Sequence, residues 1–90
     1  MKYFAWNEEK NARLKKERGV SFEEVAEILT EENALDVIAN PSANFPNQKV
    51  YVLIIRSYIY YVPFVEDEEK IFLKTIYPSR AATKKYLINR

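Results

Sequence analysis

Nine residues, Tyr77 to Lys85, hold three cations (Arg80, Lys84, Lys85), two aliphatic hydroxyls (Ser79, Thr83) and a phenol. Pro78 followed by Ser79 reads as the stop of a strand and the start of a helix, where unpaired backbone donors also favour an anion. The chemistry this set offers is a grip on phosphate. Arg80 can bond an anion with a forked guanidinium, while Lys74, Lys84 and Lys85 act as point charges. Tyr60 and Tyr77 add rings that stack on bases and hydroxyls that donate protons. The plain alternatives are a solvated cation at a helix end and tyrosines packed across a sheet. The chain has no His and no Cys. That excludes the common metal triads, zinc fingers, disulfides and Ser-His or Cys-His nucleophile pairs. Any catalysis falls to Lys, Arg, Asp, Glu, Tyr, Ser or Thr, with no cofactor and no metal expected.

The elements that must position these residues belong to one domain, since 90 residues support a single modest core. The composition, 48% hydrophobic and 30% charged, is that of a globular protein. No run of about eighteen apolar residues is present, so no transmembrane helix is expected. The opening "MKYFAWNEEKNARLKK" lacks the apolar run of a signal peptide, which makes the cytoplasm the expected compartment. The net charge of +1 is unevenly distributed. Residues 1–20 carry six cations against three acids, and residues 71–90 carry five cations and no acid. The middle, 21–70, is correspondingly acidic. If the two ends meet in space, one side of the domain is basic and suits a polyanion.

The spacing predicts a short strand at 2–6, then a helix over "NEEKNARLKKER", capped by Asn7 and ended by Gly19 in the left-handed conformation. Lys10, Arg13 and Lys16 recur along it at helical spacing as a basic stripe. Ser21 with Glu24 forms a capping box for a second, amphipathic helix carrying Phe22, Val25, Ala26, Ile28 and Leu29. A strand follows at 34–39, then a loop at 40–48. Two strands then flank Arg56-Ser57, an unfavourable pair for a tight hairpin, and a third, 70–77, follows the acidic turn 66–69. Pro63 suggests an edge position or a bulge. Hairpin loops of two and four residues put Tyr51, Leu53, Ile55, Tyr58, Tyr60, Val62, Phe64, Ile71, Leu73, Thr75 and Tyr77 on one sheet face. We expect the amphipathic helix to cover the opposite face, with Lys74 snorkelling to its rim and the tyrosine-rich face half open. Trp6 is expected to anchor the first strand in the core.

The block "FAWNEEKNARLKKERGVSFEEV", with Trp6, Lys10, Asn11, Gly19, Val20, Ser21, Phe22 and Glu23, resembles the opening of BrnT-family toxins. These belong to the RelE/ParE superfamily of bacterial type II toxin–antitoxin pairs. The tail "KTIYPSRAATKKY" is similar to that family's C-terminal signature, in which Arg and Ala follow the last strand and open the final helix. The resemblance implies an α+β fold: two N-terminal helices packed on a small, mainly antiparallel sheet, with a C-terminal helix. Its implied activity is metal-independent RNA cleavage by the substrate's own 2′-hydroxyl, which arrests translation. Its implied partners are an RNA substrate and a DNA-binding antitoxin from the same operon, of ribbon-helix-helix type, through which the pair contacts operator DNA.

In-line attack needs a base, cations to hold the charge building on phosphate, and an acid for the leaving oxygen. The catalytic candidates are Arg80 and Lys10, which match the family's positions, with Tyr60 and Tyr77. The RNA-binding candidates are Lys74, Lys84, Lys85 and Arg13. Family members commonly carry His where this chain has Arg18, so the base is not assigned. Two other readings stand beside the ribonuclease: a non-catalytic inhibitor of DNA gyrase, as in ParE-type relatives, and a non-toxic RNA-binding or interaction domain.

Overall fold

The computed structural model describes residues 2–88; Arg90, counted above among the tail cations, lies outside them. The fold is α+β. The elements, in chain order, are β1 (Tyr3–Ala5), α1 (Glu8–Arg18), α2 (Phe22–Thr30), β2 (Asp36–Ala39), β3 (Lys49–Ile55), β4 (Tyr58–Glu66), β5 (Lys70–Leu73), β6 (Tyr77–Pro78) and α3 (Arg80–Thr83). A π-helical turn, Lys84–Ile88, prolongs α3. The sheet runs β1-β5-β4-β3-β2, with β6 paired to β4. Neighbours are antiparallel except β1 and β5, which are parallel. No helix among the described residues is long and apolar enough to cross a membrane.

Local chemistry sets both N-terminal helices as the sequence suggests. Asn7 accepts the Lys10 N–H at the start of α1, and Gly19 ends it at φ 67°. Ser21 and Glu24 form the reciprocal capping box of α2. Buried Asn11 joins the two helices: its Oδ1 accepts the Phe22 N–H at 2.8 Å, and its Nδ2 donates to Glu23 at 2.7 Å. Trp6 anchors β1, stacked on Phe22 with ring centroids 5.7 Å apart.

The sheet separates two cores. Leu14, Phe22 and Val25 of the helical layer pack with Leu53, Ile55, Val62, Phe64 and Leu73. The amphipathic helix therefore covers the face that carries Tyr51 and Tyr60, the reverse of the sequence expectation. The physical reason is that a tyrosine buries its ring at a rim and keeps its hydroxyl wet, so a tyrosine count does not mark an open face. On the other face Val52 and Ile59 pack against Ala82, with Ile38, Tyr61, Tyr86 and Leu87 around them. The C-terminal helical segment thus covers part of that second face, and the Tyr86 hydroxyl reaches Asp36 at 3.1 Å.

The two-residue hairpin loop is present, with Ile55 opposite Tyr58. Both turn residues take positive φ, 49° at Arg56 and 67° at Ser57, the mirror-image turn that a twisted hairpin requires. Arg56 fastens this turn to the helical layer, bonding Glu24 at 2.7 Å and the Gly19 carbonyl.

The expected strand 70–77 is broken. β5 ends at Leu73, residues 74–76 leave the ladder, and β6 resumes at Tyr77. The break lies beside Pro63. Counting from the pair that closes the turn, Val50–Pro63 is a non-hydrogen-bonded pair, so Pro63 directs its backbone away from β3 and towards the break. It has no N–H to give there, and its carbonyl accepts the Lys74 N–H at 2.8 Å. Pro63 is therefore interior, at a seam between β5 and β6, and not on an edge strand. Beyond the seam the side-chain alternation is reset. Tyr77 pairs with Tyr61 on the second face, away from Tyr60.

Candidate nucleic-acid interface

The seam opens a cleft of about 250 Å³. Its floor and walls come from four places: Lys10 of α1, the 40–48 loop (Asn40, Ser42, Phe45, Gln48), Pro63 of β4, and the broken strand (Lys74, Thr75, Tyr77). A second cleft of about 150 Å³ shares Lys10 and Thr75 with it and continues along α1 past Arg13, Glu17 and Arg18. Together they form one groove in which α1 and the tail meet, although Lys10 and Lys74 stand far apart in the chain. Four cations line it against one acid, Glu17.

Each side chain is held by its element. Arg18 donates to the Ile76 carbonyl at 2.6 Å, tying the end of α1 to the broken strand. The Lys74 ammonium sits 5.3 Å from the centroid of the Phe72 ring. Tyr77 packs edge-on to Tyr61 with centroids 5.8 Å apart. Burial, with the Tyr61 hydroxyl as a smaller cause, pushes the Tyr77 phenol above its ordinary pKa. A phenol is protonated at neutral pH in any case, and the shift only moves its ionisation further away.

The candidate residues therefore divide into three groups. Lys10, Lys74 and Tyr77 share the first cleft, and Arg13 lines the adjoining one. Tyr60 lies on the opposite sheet face, half-buried against the core and edge-on to Tyr58, so it is a packing residue. Arg80, Lys84 and Lys85 line neither cleft; they are exposed on the C-terminal helical segment, with Lys85 over the Tyr86 ring.

The hydroxyls that crowd the tail have structural partners. Ser79 Oγ accepts the Ala82 N–H at 3.1 Å, and its backbone N–H donates to the Ile59 carbonyl at 2.9 Å. Thr83 Oγ1 accepts the Ile59 N–H at 2.9 Å and donates to the Ser79 carbonyl at 2.8 Å. The junction read from the sequence as a phosphate grip is thus the dock of the C-terminal helix on β4. Tyr77 faces the groove from just before it.

Sequence reasoning missed Glu17, Thr75 and the loop residues Asn40, Phe45 and Gln48. Pro and Asn content marks 40–48 only as a loop. The one signal available was Phe45, an apolar ring set between Asn44 and Pro46, and it is 51% exposed. Compared with models of known protein families, with curated proteins and with solved structures, the chain shows no significant match.

Proposed function

We propose that this protein is a BrnT-like toxin of the RelE/ParE superfamily, a metal-independent ribonuclease acting in the cytoplasm and held in check by a ribbon-helix-helix antitoxin. The observation that carries this reading is the meeting of Lys10 and Lys74 with Tyr77 in one groove. Cations on both sides of a single-strand-sized groove can hold a phosphate while charge builds on it. Tyr77, a phenol that carries its proton at neutral pH, can donate to a leaving oxygen. Glu17, the acid of the adjoining cleft, is the side chain there able to take the 2′-hydroxyl proton. In this reading Arg80 acts from outside the groove, as a contact to the flanking strand.

A binding-only reading has one observation in its favour: Arg80, the residue that the resemblance puts at the chemistry, lines neither cleft. The deciding experiment incubates purified protein with single-stranded RNA in EDTA, beside Lys74→Ala, Tyr77→Phe and Arg80→Ala. The proposal expects 2′,3′-cyclic ends and a loss of about 100-fold or more in Lys74→Ala and Tyr77→Phe. Loss in Arg80→Ala alone would move the chemistry to the tail. RNA bound but never cut would leave the binding-only reading.

A further inference from the structure

Loop 40–48 is built more tightly than a connection between two strands requires. Asn40 N–H donates to the Gln48 carbonyl at 3.0 Å, Gln48 N–H to the Phe45 carbonyl at 3.2 Å, and Phe45 N–H to the Ser42 carbonyl at 3.2 Å. These bonds preorganise a compact loop whose Asn40, Phe45 and Gln48 all line the groove.

Side-chain bonds then fix which atoms the loop offers. Asn40 Oδ1 accepts the Ser42 N–H at 2.9 Å, so the other end of that amide, Nδ2, turns to Gln48. It donates to Gln48 Oε1 at 3.1 Å. The Gln48 amide is thereby oriented as well. With its oxygen engaged, its Nε2 donors remain for the groove. Each amide oxygen thus already accepts one bond within the loop, while N–H donors of both amides are left over, beside two lysine ammonium groups that are also donors. Phe45 and Tyr77 supply exposed or half-buried ring surface in the same cleft.

We propose that this cleft seats one unpaired guanine of an RNA strand, stacked on Phe45 and Tyr77 and read by the N–H donors of Gln48 and Asn40. Guanine offers two adjacent acceptors, O6 and N7, on one edge. Adenine puts an amino donor where O6 would be, and against the Gln48 and Asn40 donors that group faces another N–H. The bicyclic ring also covers more of two aromatic platforms than a pyrimidine does. About 250 Å³ suits one base, not a paired duplex. This inference rests on the RNA-binding reading above and deepens it from strand class to base.

The test uses the full chain and 2′-O-methyl hexauridylates carrying one central guanine, adenine or cytosine, which cannot be cut through the 2′-hydroxyl. Fluorescence anisotropy gives each Kd, and a thermal melt checks that each variant is folded. Guanine should bind about tenfold more tightly than adenine, the discrimination of a good two-point contact. Gln48→Ala should level the two. Gln48→Glu keeps an oxygen for Asn40 but faces the groove with an acceptor, so the order should shift towards adenine whatever its effect on absolute affinity. Equal binding of all oligonucleotides, a preference for adenine or cytosine, or discrimination that survives Gln48→Ala overturns the guanine pocket and leaves RNA binding standing. No binding to any of them overturns both readings.

Discussion

Thr83 carries more of the fold than its type suggests. Its hydroxyl accepts from the Ile59 N–H and donates to the Ser79 carbonyl, closing the backbone of β4 where the sheet gives way to a helix. Thr83→Val keeps the shape and leaves a buried N–H without a partner, so unfolding in urea should show a loss of about 1–3 kcal/mol. Thr83→Ser should recover most of it. A second residue-level expectation concerns Glu23, whose pKa is lowered chiefly by the hydrogen bond from Asn11. A carboxyl with a depressed folded pKa stabilises the fold above its unfolded pKa and loses that contribution as pH falls through the folded one. Denaturation midpoints measured from neutral pH downward should therefore fall less steeply in Glu23→Gln than in the parent. Hydroxyls and cations near residue 80 were legible as a cluster. Their partners were not, because Ile59 is distant in sequence and nothing local announces it.

At the scale of elements, what local rules govern was readable and what the sheet governs was not. Asn7, Gly19, Ser21 and Glu24 act within a few residues of themselves, and α1 begins and ends, and α2 begins, where those residues predict. The face that α2 covers, and the break after Leu73, depend on neighbours across the sheet. Pro63 signalled trouble in the ladder, but only the pairing on both sides of β4 shows that the trouble is a seam. The Arg56-Ser57 turn is a further case. Its loop length followed from the apolar pattern, while its residues oppose the left-handed backbone it needs. Ser57→Gly should relieve about 1–2 kcal/mol of that opposition. The freer unfolded chain takes back about 0.4–1 kcal/mol, so a small net gain in stability is expected by thermal or chemical denaturation. Arg56 is the wrong residue to replace, because it holds the turn to Glu24 and Gly19.

Across the whole molecule, Lys10, Arg13 and Arg18 of the basic N-terminal end and Lys74 from the tail converge on one groove, with Arg80, Lys84 and Lys85 outside it, while the acidic middle supplies the α2 surface and the β4–β5 turn. Binding to RNA should accordingly be strong for the net charge and sensitive to salt. If Lys10, Arg13 and Lys74 each meet a phosphate, the logarithm of affinity should fall against the logarithm of salt with a slope of about −2. Lys74→Ala should make that slope shallower by about 0.7, whereas a gyrase inhibitor working through protein contacts would show no such change. Composition made the uneven charge visible, but the convergence needed the topology. The parallel pairing of β1 with β5, residues 3–5 beside 70–72, has a consequence for how the molecule comes into being. Synthesis proceeds from the N-terminus, and the first strand has no partner until the fifth has been made. Lys10 therefore faces no Lys74, and the groove does not exist, until residues 70–77 have been made. A chain grown only as far as β4 has neither the β1–β5 pair nor the groove, so whatever the groove binds finds no seat on it.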